Sequence, residues 1–287
     1  MNRGRIICDT STFSVGDKVR VRSMIDSSKV WDQTVAAVGT ALIFDVPCFD
    51  YYKICMVQNN TEIGGIYKTL DDGQTIYTNS LNKSTLGGIQ GILDAHQESD
   101  LLSVADEVTI TVDGNPWIMQ IAGINLNDSH EVILASKNLW TTSSFGTGNN
   151  YTASVSTLRN TMSNFYNAMS VDDKQYVKKT PKTTRQVNQN TYYQFADYVY
   201  PPTRTEVDGV SPGGTPTITL HQYPLFSTTA NRIRTYNDTA TMWSLCDGGT
   251  STGNIFSINE SGTLQSASCG TGSVVGVLPC FRLTANV

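Results

Sequence analysis

Three histidines, six cysteines and two adjacent acid pairs are the residues whose types could do chemistry in this 287-residue chain. The histidines, His96, His130 and His221, lie far apart in sequence. A general base must reach the proton it moves, and no local pattern gives these three a partner. Asp71-Asp72 and Asp172-Asp173 are immediate neighbours. Adjacent side chains on a strand diverge, so neither pair is a ready acid–base couple. The chain contains no Gly-x-Ser-x-Gly elbow and no Gly-x-x-x-x-Gly-Lys-Ser/Thr phosphate loop. Gly146-Thr147-Gly148 is too short to be a nucleotide loop.

The cysteines are Cys8, Cys48, Cys55, Cys246, Cys269 and Cys280. None forms a Cys-x-x-Cys pair, which argues against a zinc site. Cys48 and Cys55 are an odd number of residues apart, so on one straight strand they face opposite sides. Reduced core cysteines are the expectation, with a Cys269–Cys280 bridge as the alternative. Cysteine chemistry would need Cys246, Cys269 or Cys280 to be exposed and close together.

A formal net charge of -5 argues against a nucleic-acid-binding protein, which would normally show a basic face. Hydrophobic residues make up 39% and charged residues only 16%, so Ser, Thr and Asn fill the polar surface. Met1–Asp9 lacks the apolar core of a secretion signal. No apolar run is long enough to span a bilayer. The expectation is synthesis in a cytoplasm, with no membrane and no nucleic-acid partner.

The elements that must position any site follow from periodicity. Residues 1–30 are polar and read as an N-terminal arm. Within it Lys18, Arg20 and Arg22 share a strand face, as on a solvated edge strand or an arm docking on an assembly. Residues 31–105 read as a small antiparallel β module with a helix. Its strands are Ala41–Val46, Tyr51–Val57, Ile63–Tyr67 and Gln74–Tyr77, with turns at Asn59-Asn60 and Asp71-Asp72-Gly73. Ser84-Thr85 caps a helix with Leu86, Ile89, Ile92 and Leu93 on one face.

Residues 106–287 form the second domain. Val108–Val112 and Trp117–Ile124 make a hairpin around Asp113-Gly114, and His130–Ser136 is a further strand. Ser154 is expected to cap a helix striped by Val155, Leu158, Met162, Phe165, Tyr166 and Met169. Asp172-Asp173 is expected to cap a second, short helix. Lys178, Lys179, Lys182 and Arg185 read as a solvated basic run. Tyr192–Tyr200 is dense in aromatics, and Asp208–Pro216 is an exposed loop. From Trp243 to Leu283, short apolar strands alternate with polar, glycine-rich loops, as in a rigid scaffold displaying a variable surface.

Four stretches carry a resemblance: Trp117–Asn125, His130–Asn138, the Ser154–Met169 helix with Leu158-Arg159, and the closing stretch. The last joins Trp243-Ser244-Leu245, Asn259-Glu260-Ser261-Gly262 and Val277-Leu278-Pro279-Cys280-Phe281-Arg282-Leu283. Together they resemble an uncharacterised domain family of Gram-positive bacteria and their prophages. That family is similar to the C-type-lectin fold, a display scaffold in phage receptor-binding proteins. Val46–Lys53 and Gly88–His96 resemble a leader module of phage structural proteins, so the resemblance covers about residues 45–287. Leu278-Pro279 departs from the family's Arg-Pro or Ala-Pro. The Glu-Pro-Asn or Gln-Pro-Asp tripeptide and the Trp-Asn-Asp triplet of calcium-dependent lectins are absent, which speaks against calcium-mediated sugar binding.

The fold class expected is therefore α+β, a small antiparallel β module plus a C-type-lectin-like domain with short strands, one or two helices and long loops. The resemblance implies a structural virion protein of a tailed bacteriophage, multi-copy on the particle surface. Its partners would be capsid, tail or baseplate subunits, and its ligand a host-surface glycan or receptor. No catalytic residue, cofactor or metal is expected. The candidate binding residues are Tyr192, Tyr193, Tyr198, Tyr200, Thr250, Ser251, Thr252, Asn254, Gln265, Ser266 and Ser268. The alternatives are an enzyme using cysteine chemistry on a lectin-like fold and a bacterial surface adhesin.

Overall fold

Alternation in the first sixty residues builds a core from segments that are locally polar. A computed structural model describes residues 3–8, 10, 13–58, 61–78, 83–94, 96, 98–127, 130–146, 151–152, 156–213, 216, 218–251, 253–268 and 274–286. They fall into two units, Met1–Leu102 with Thr284–Val287, and Ser103–Leu283. The class is α+β, with strands predominating and helices few and short.

The first unit runs through β1 (Arg3–Cys8), β2 (Lys18–Ser23), β3 (Val30–Thr34), β4 (Leu42–Pro47), β5 (Asp50–Gln58), β6 (Thr61–Leu70) and β7 (Thr75–Thr78). Two short helices follow, α1 (Leu86–Asp94) and α2 (Glu98–Leu101). The strands form two sheets, ordered β4-β1-β7 and β3-β2-β5-β6. Ile6, Cys8, Val19, Val21, Phe44, Tyr52, Ile54 and Leu70 meet in one core. Thr85 caps α1, its Oγ1 accepting from Gly88 N at 3.2 Å. The apolar face of that helix, Leu86, Ile89, Ile92 and Leu93, is buried as expected.

Residues 1–30 are not a separate arm, because β1 and β2 place Ile6, Cys8, Val19 and Val21 in this core. Nor is β2 an edge strand. It lies between β3 and β5, paired with both in antiparallel register. Its charged face is neutralised across the sheet: Arg20 holds Asp32 through two bonds of 2.8 Å, while Arg22 and Lys53 reach Glu62 at 3.2 and 3.1 Å. The expected turn at Asn59-Asn60 lies outside the described residues.

The second unit opens with β8 (Glu107–Val112), β9 (Asn115–Ile124), β10 (Glu131–Ser136) and β11 (Thr141–Ser143), then α3 (Thr157–Ala168) and α4 (Val171–Lys174). Next come β12 (Thr180–Arg185), β13 (Tyr192–Asp197), α5 (Arg204–Asp208), a 3-10 turn at Pro224–Phe226, and α6 (Thr229–Arg232). The closing strands are β14 (Thr235–Tyr236), β15 (Thr239–Ala240), β16 (Trp243–Gly248), β17 (Asn254–Ile258), β18 (Leu264–Ser268), β19 (Val275–Val277) and β20 (Cys280–Thr284). The larger sheets are ordered β20-β10-β9-β8 and β11-β19-β16-β17-β18, and β12 pairs with β13 as a hairpin. Trp243 and Phe281 are fully buried.

Helix α3 packs on β11 and β19. It buries Leu158, Met162 and Phe165, and the Phe165 ring meets Trp140 edge-on at 5.2 Å. Its cap is Ser156, whose Oγ accepts from Arg159 N at 3.3 Å. The expected cap Ser154, and Val155 of the expected stripe, lie outside the described residues. Helix α4 is capped by Ser170, one residue before the helix begins, and Asp172 and Asp173 occupy its first turn instead. A carboxylate there still complements the helix dipole.

Candidate functional site

The β12–β13 hairpin contributes to two environments. In its register Lys182 faces Phe195, Thr180 faces Asp197, and Arg185 faces Tyr192. One environment is a sealed polar knot; the other is an open cleft.

The knot overturns the reading of a solvated basic run at Lys182 and Arg185, while Lys179 is exposed as expected and Lys178 is half-buried. Lys182 and Arg185 are only 3% and 4% exposed. Lys182 Nζ is paired with Glu206, donates to Tyr223 Oη at 2.7 Å, and lies 4.3 Å from the centroid of the Tyr200 ring. Glu206 is placed by the start of α5, where it forms a capping box with Thr203. Its Oε2 accepts from Thr203 N at 2.9 Å while Oε1 receives Lys182 and Tyr223. Burial works against the Lys182 ammonium, but Glu206, Tyr200 and Cys246 together outweigh it and its pKa is raised. Arg185 donates to Gly248 O at 3.1 Å and Gly249 O at 2.9 Å. Asp247 accepts from Arg185 N at 2.9 Å and Arg204 N at 2.8 Å. Burial lifts its carboxyl to about 6 against those two donors. The knot ties β12, α5 and β16 together by charge-assisted bonds.

Two cysteines border it. Cys246 and Cys280 are fully buried free thiols, and burial pushes both upward in pKa. A thiol is a nucleophile only as thiolate, so this environment opposes cysteine chemistry there. Cys8 and Cys55 are also buried, Cys48 is half-buried, and Cys269 lies outside the described residues. With Cys280 free, the Cys269–Cys280 bridge is not formed.

A cleft of about 350 Å³ opens between α3 and the end of β13. Arg159, Ser163, Tyr166, Asn167, Lys179 and Tyr198 line it. Tyr166 and Tyr198 lie face to face, with centroids 4.6 Å apart and planes 5° apart. Tyr198 is 40% exposed, so one ring is backed by the other and open to solvent. Arg159 grips Asp197 with two bonds, Nε to Oδ2 at 3.0 Å and Nη2 to Oδ1 at 2.8 Å. The hydrogen bond that Arg159 donates to Asp197 raises the Arg159 pKa. Lys174 Nζ lies 5.6 Å from the Tyr166 centroid. A rigid aromatic platform beside amide, hydroxyl and cationic groups can stack a flat apolar face and hydrogen-bond its polar rim.

The expected site residues separate. Tyr198 is in the cleft. Tyr193 is exposed, and half-buried Tyr192 donates to Gly213 O at 2.8 Å. Tyr200 is fully buried under Lys182, so it cannot be displayed. Thr250 and Ser251 are exposed in the β16–β17 connection, and Asn254 begins β17. Gln265, Ser266 and Ser268 are exposed, but they lie on the edge strand β18, not in a loop. Asn254 and Ser268 are register partners, which brings these two groups together at one sheet end. Thr252 lies outside the described residues.

Sequence reading missed Tyr166, Ser163, Asn167 and Lys179 as site residues. Their signal was the helical spacing of Arg159, Ser163, Tyr166 and Asn167, which places them on the solvent side of α3. Tyr166, expected in the buried stripe, is half-buried instead. Among the described residues no cluster of His, Cys, Asp and Glu could hold a metal ion, and no helix is long and apolar enough to cross a membrane. Comparison with protein-family models, curated proteins and solved structures gave no match.

Proposed function

We propose that this chain is a structural virion protein of a tailed bacteriophage, displayed in many copies on the particle. In this reading the second unit is a C-type-lectin-like scaffold that binds a host-surface glycan. The observation carrying it is the stacked Tyr166–Tyr198 pair at the mouth of a polar cleft. A tyrosine whose outer face is open, and whose inner face is held by a second ring, loses little entropy on binding. It offers a large apolar face to the C–H side of a sugar ring. The fold-level part is supported by short strands in small sheets, by β20 pairing within the β10 sheet, and by buried Trp243 and Phe281. The first unit would then face capsid, tail or baseplate partners.

A glycan array and a host-cell binding assay test the ligand half. The expected result is binding by the full chain and its loss in Tyr198→Ala, with the melting temperature within a few degrees of the parent. Binding untouched by Tyr198→Ala would move the site elsewhere, with the Asn254–Ser268 sheet end next in line. Absence of any binding to host envelope material would remove the adhesin role and leave an architectural one.

A further inference from the structure

We infer that the cleft selects an acidic sugar, one carrying a carboxylate or phosphate beside the pyranose ring; this deepens the glycan reading and rests on it. The argument is charge complementarity inside the cleft. Its single lining carboxylate, Asp197, is already engaged by both donor arms of Arg159. Lys179 lines the same space, is exposed, and has no ion-pair or hydrogen-bond partner among the described residues. The lining therefore holds two cations to one carboxylate. Lys174 adds a third cation at the Tyr166 ring, donating to Asn167 O at 2.6 Å.

This local excess of positive charge sits on a chain whose formal net charge is -5. General attraction of the whole chain for anions is thus absent, and any preference for an acidic ligand must come from these few side chains. Lys179 is the free charge of the set. Its ammonium is a compact donor on a flexible stem, suited to a carboxylate or phosphate whose position relative to the stacked ring varies. Asn167 and Ser163 supply the amide and hydroxyl groups that a sugar's own hydroxyls require.

The test uses the full chain and three probes: a glucuronate-containing oligosaccharide, its neutral glucose counterpart, and a glucose phosphate. Calorimetric titration should show the acidic probes binding about tenfold tighter than the neutral one, the scale of one added charge-assisted hydrogen bond. Lys179→Gln should bring acidic and neutral probes to within about twofold, because only the charge is removed. Tyr198→Ala should weaken all of them together. The acidic preference should also shrink as salt rises. A glucuronate preference over the phosphate, or the reverse, identifies which anion the site takes. Equal binding of neutral and acidic probes, unchanged by Lys179→Gln, would overturn the inference while leaving the glycan reading in place. Wild-type binding to no sugar on any probe or array would overturn both.

Discussion

Lys182 and Glu206 form a buried ion pair that joins the middle of β12 to the first turn of α5. The same carboxylate completes the capping box with Thr203 and accepts the Tyr223 hydroxyl. One side chain thus neutralises a buried cation, starts a helix and holds an aromatic. Lys182 stands on the same hairpin as Asp197, two residues along the register, and Tyr198 follows directly. The role of the pair is to fix the backbone from which the cleft is built.

Removing one partner leaves the other charged and buried, so Lys182→Ala should lose about 3–5 kcal/mol of stability. Replacing both, as Lys182→Met with Glu206→Gln, keeps the volume and the capping acceptor while removing the lone charge. Urea unfolding should therefore recover much of that loss in the double variant. If the double variant were as weak as the sum of the singles, the two residues would not be coupled.

Asp247 gives the second unit a pH dependence of unusual sign for a carboxylate. Its ordinary value is 3.8 and burial lifts it to about 6 in the fold. The folded chain thus holds this proton more tightly than the unfolded chain. Stability from this group is highest below pH 3.8, falls as pH rises toward 6, and stays low above it. The loss is about 3 kcal/mol by linkage. Unfolding free energies at pH 4 and pH 7 should show that difference in the wild type and lack it in Asp247→Asn. An identical pH dependence in both would mean that another group titrates.

Much of this was legible locally. The α3 stripe, the β8–β9 hairpin and the buried face of α1 all follow from side-chain period. What escaped depends on partners distant in sequence. Lys182 and Arg185 look solvated until Glu206, Tyr223 and the Gly248–Gly249 carbonyls arrive from downstream. Tyr198 and Tyr200 are two residues apart and would share a face on a straight strand. However, β13 ends at Asp197, and Tyr200 pairs with Cys280 instead, which turns its ring inward. Arg20 and Arg22 read as edge charges because Asp32 and Glu62, which neutralise them, lie on β3 and β6.

Thiol accessibility separates a display scaffold from cysteine chemistry. Alkylation of the native protein followed by mass mapping should label half-buried Cys48 before the other described cysteines. Cys8, Cys55, Cys246 and Cys280 should react only in denaturant, because burial excludes the reagent and disfavours the thiolate. Rapid native labelling of Cys246 or Cys280 would return a nucleophile to the knot.

The closest approach beside the knot is made by Gly248 at the end of β16. A Cβ there would lie 2.3 Å from Val187 N and 2.5 Å from Val187 Cα. Both are backbone atoms, so no side-chain rotation relieves the clash, and Arg185 already uses the Gly248 carbonyl. Gly248→Ala must push β16 from the segment after β12, a cost of about 1–3 kcal/mol for overpacking plus the strained Arg185 bonds. Gly253 supplies the contrast. Its φ is +76°, with nothing within 4 Å of an added Cβ. Alanine there should cost only the left-handed backbone penalty, about 1 kcal/mol. Chemical denaturation of the two variants side by side reads the difference. A Gly248→Ala variant no weaker than Gly253→Ala would mean that β16 and the Val187 backbone are not in contact, and that the knot holds without this close approach.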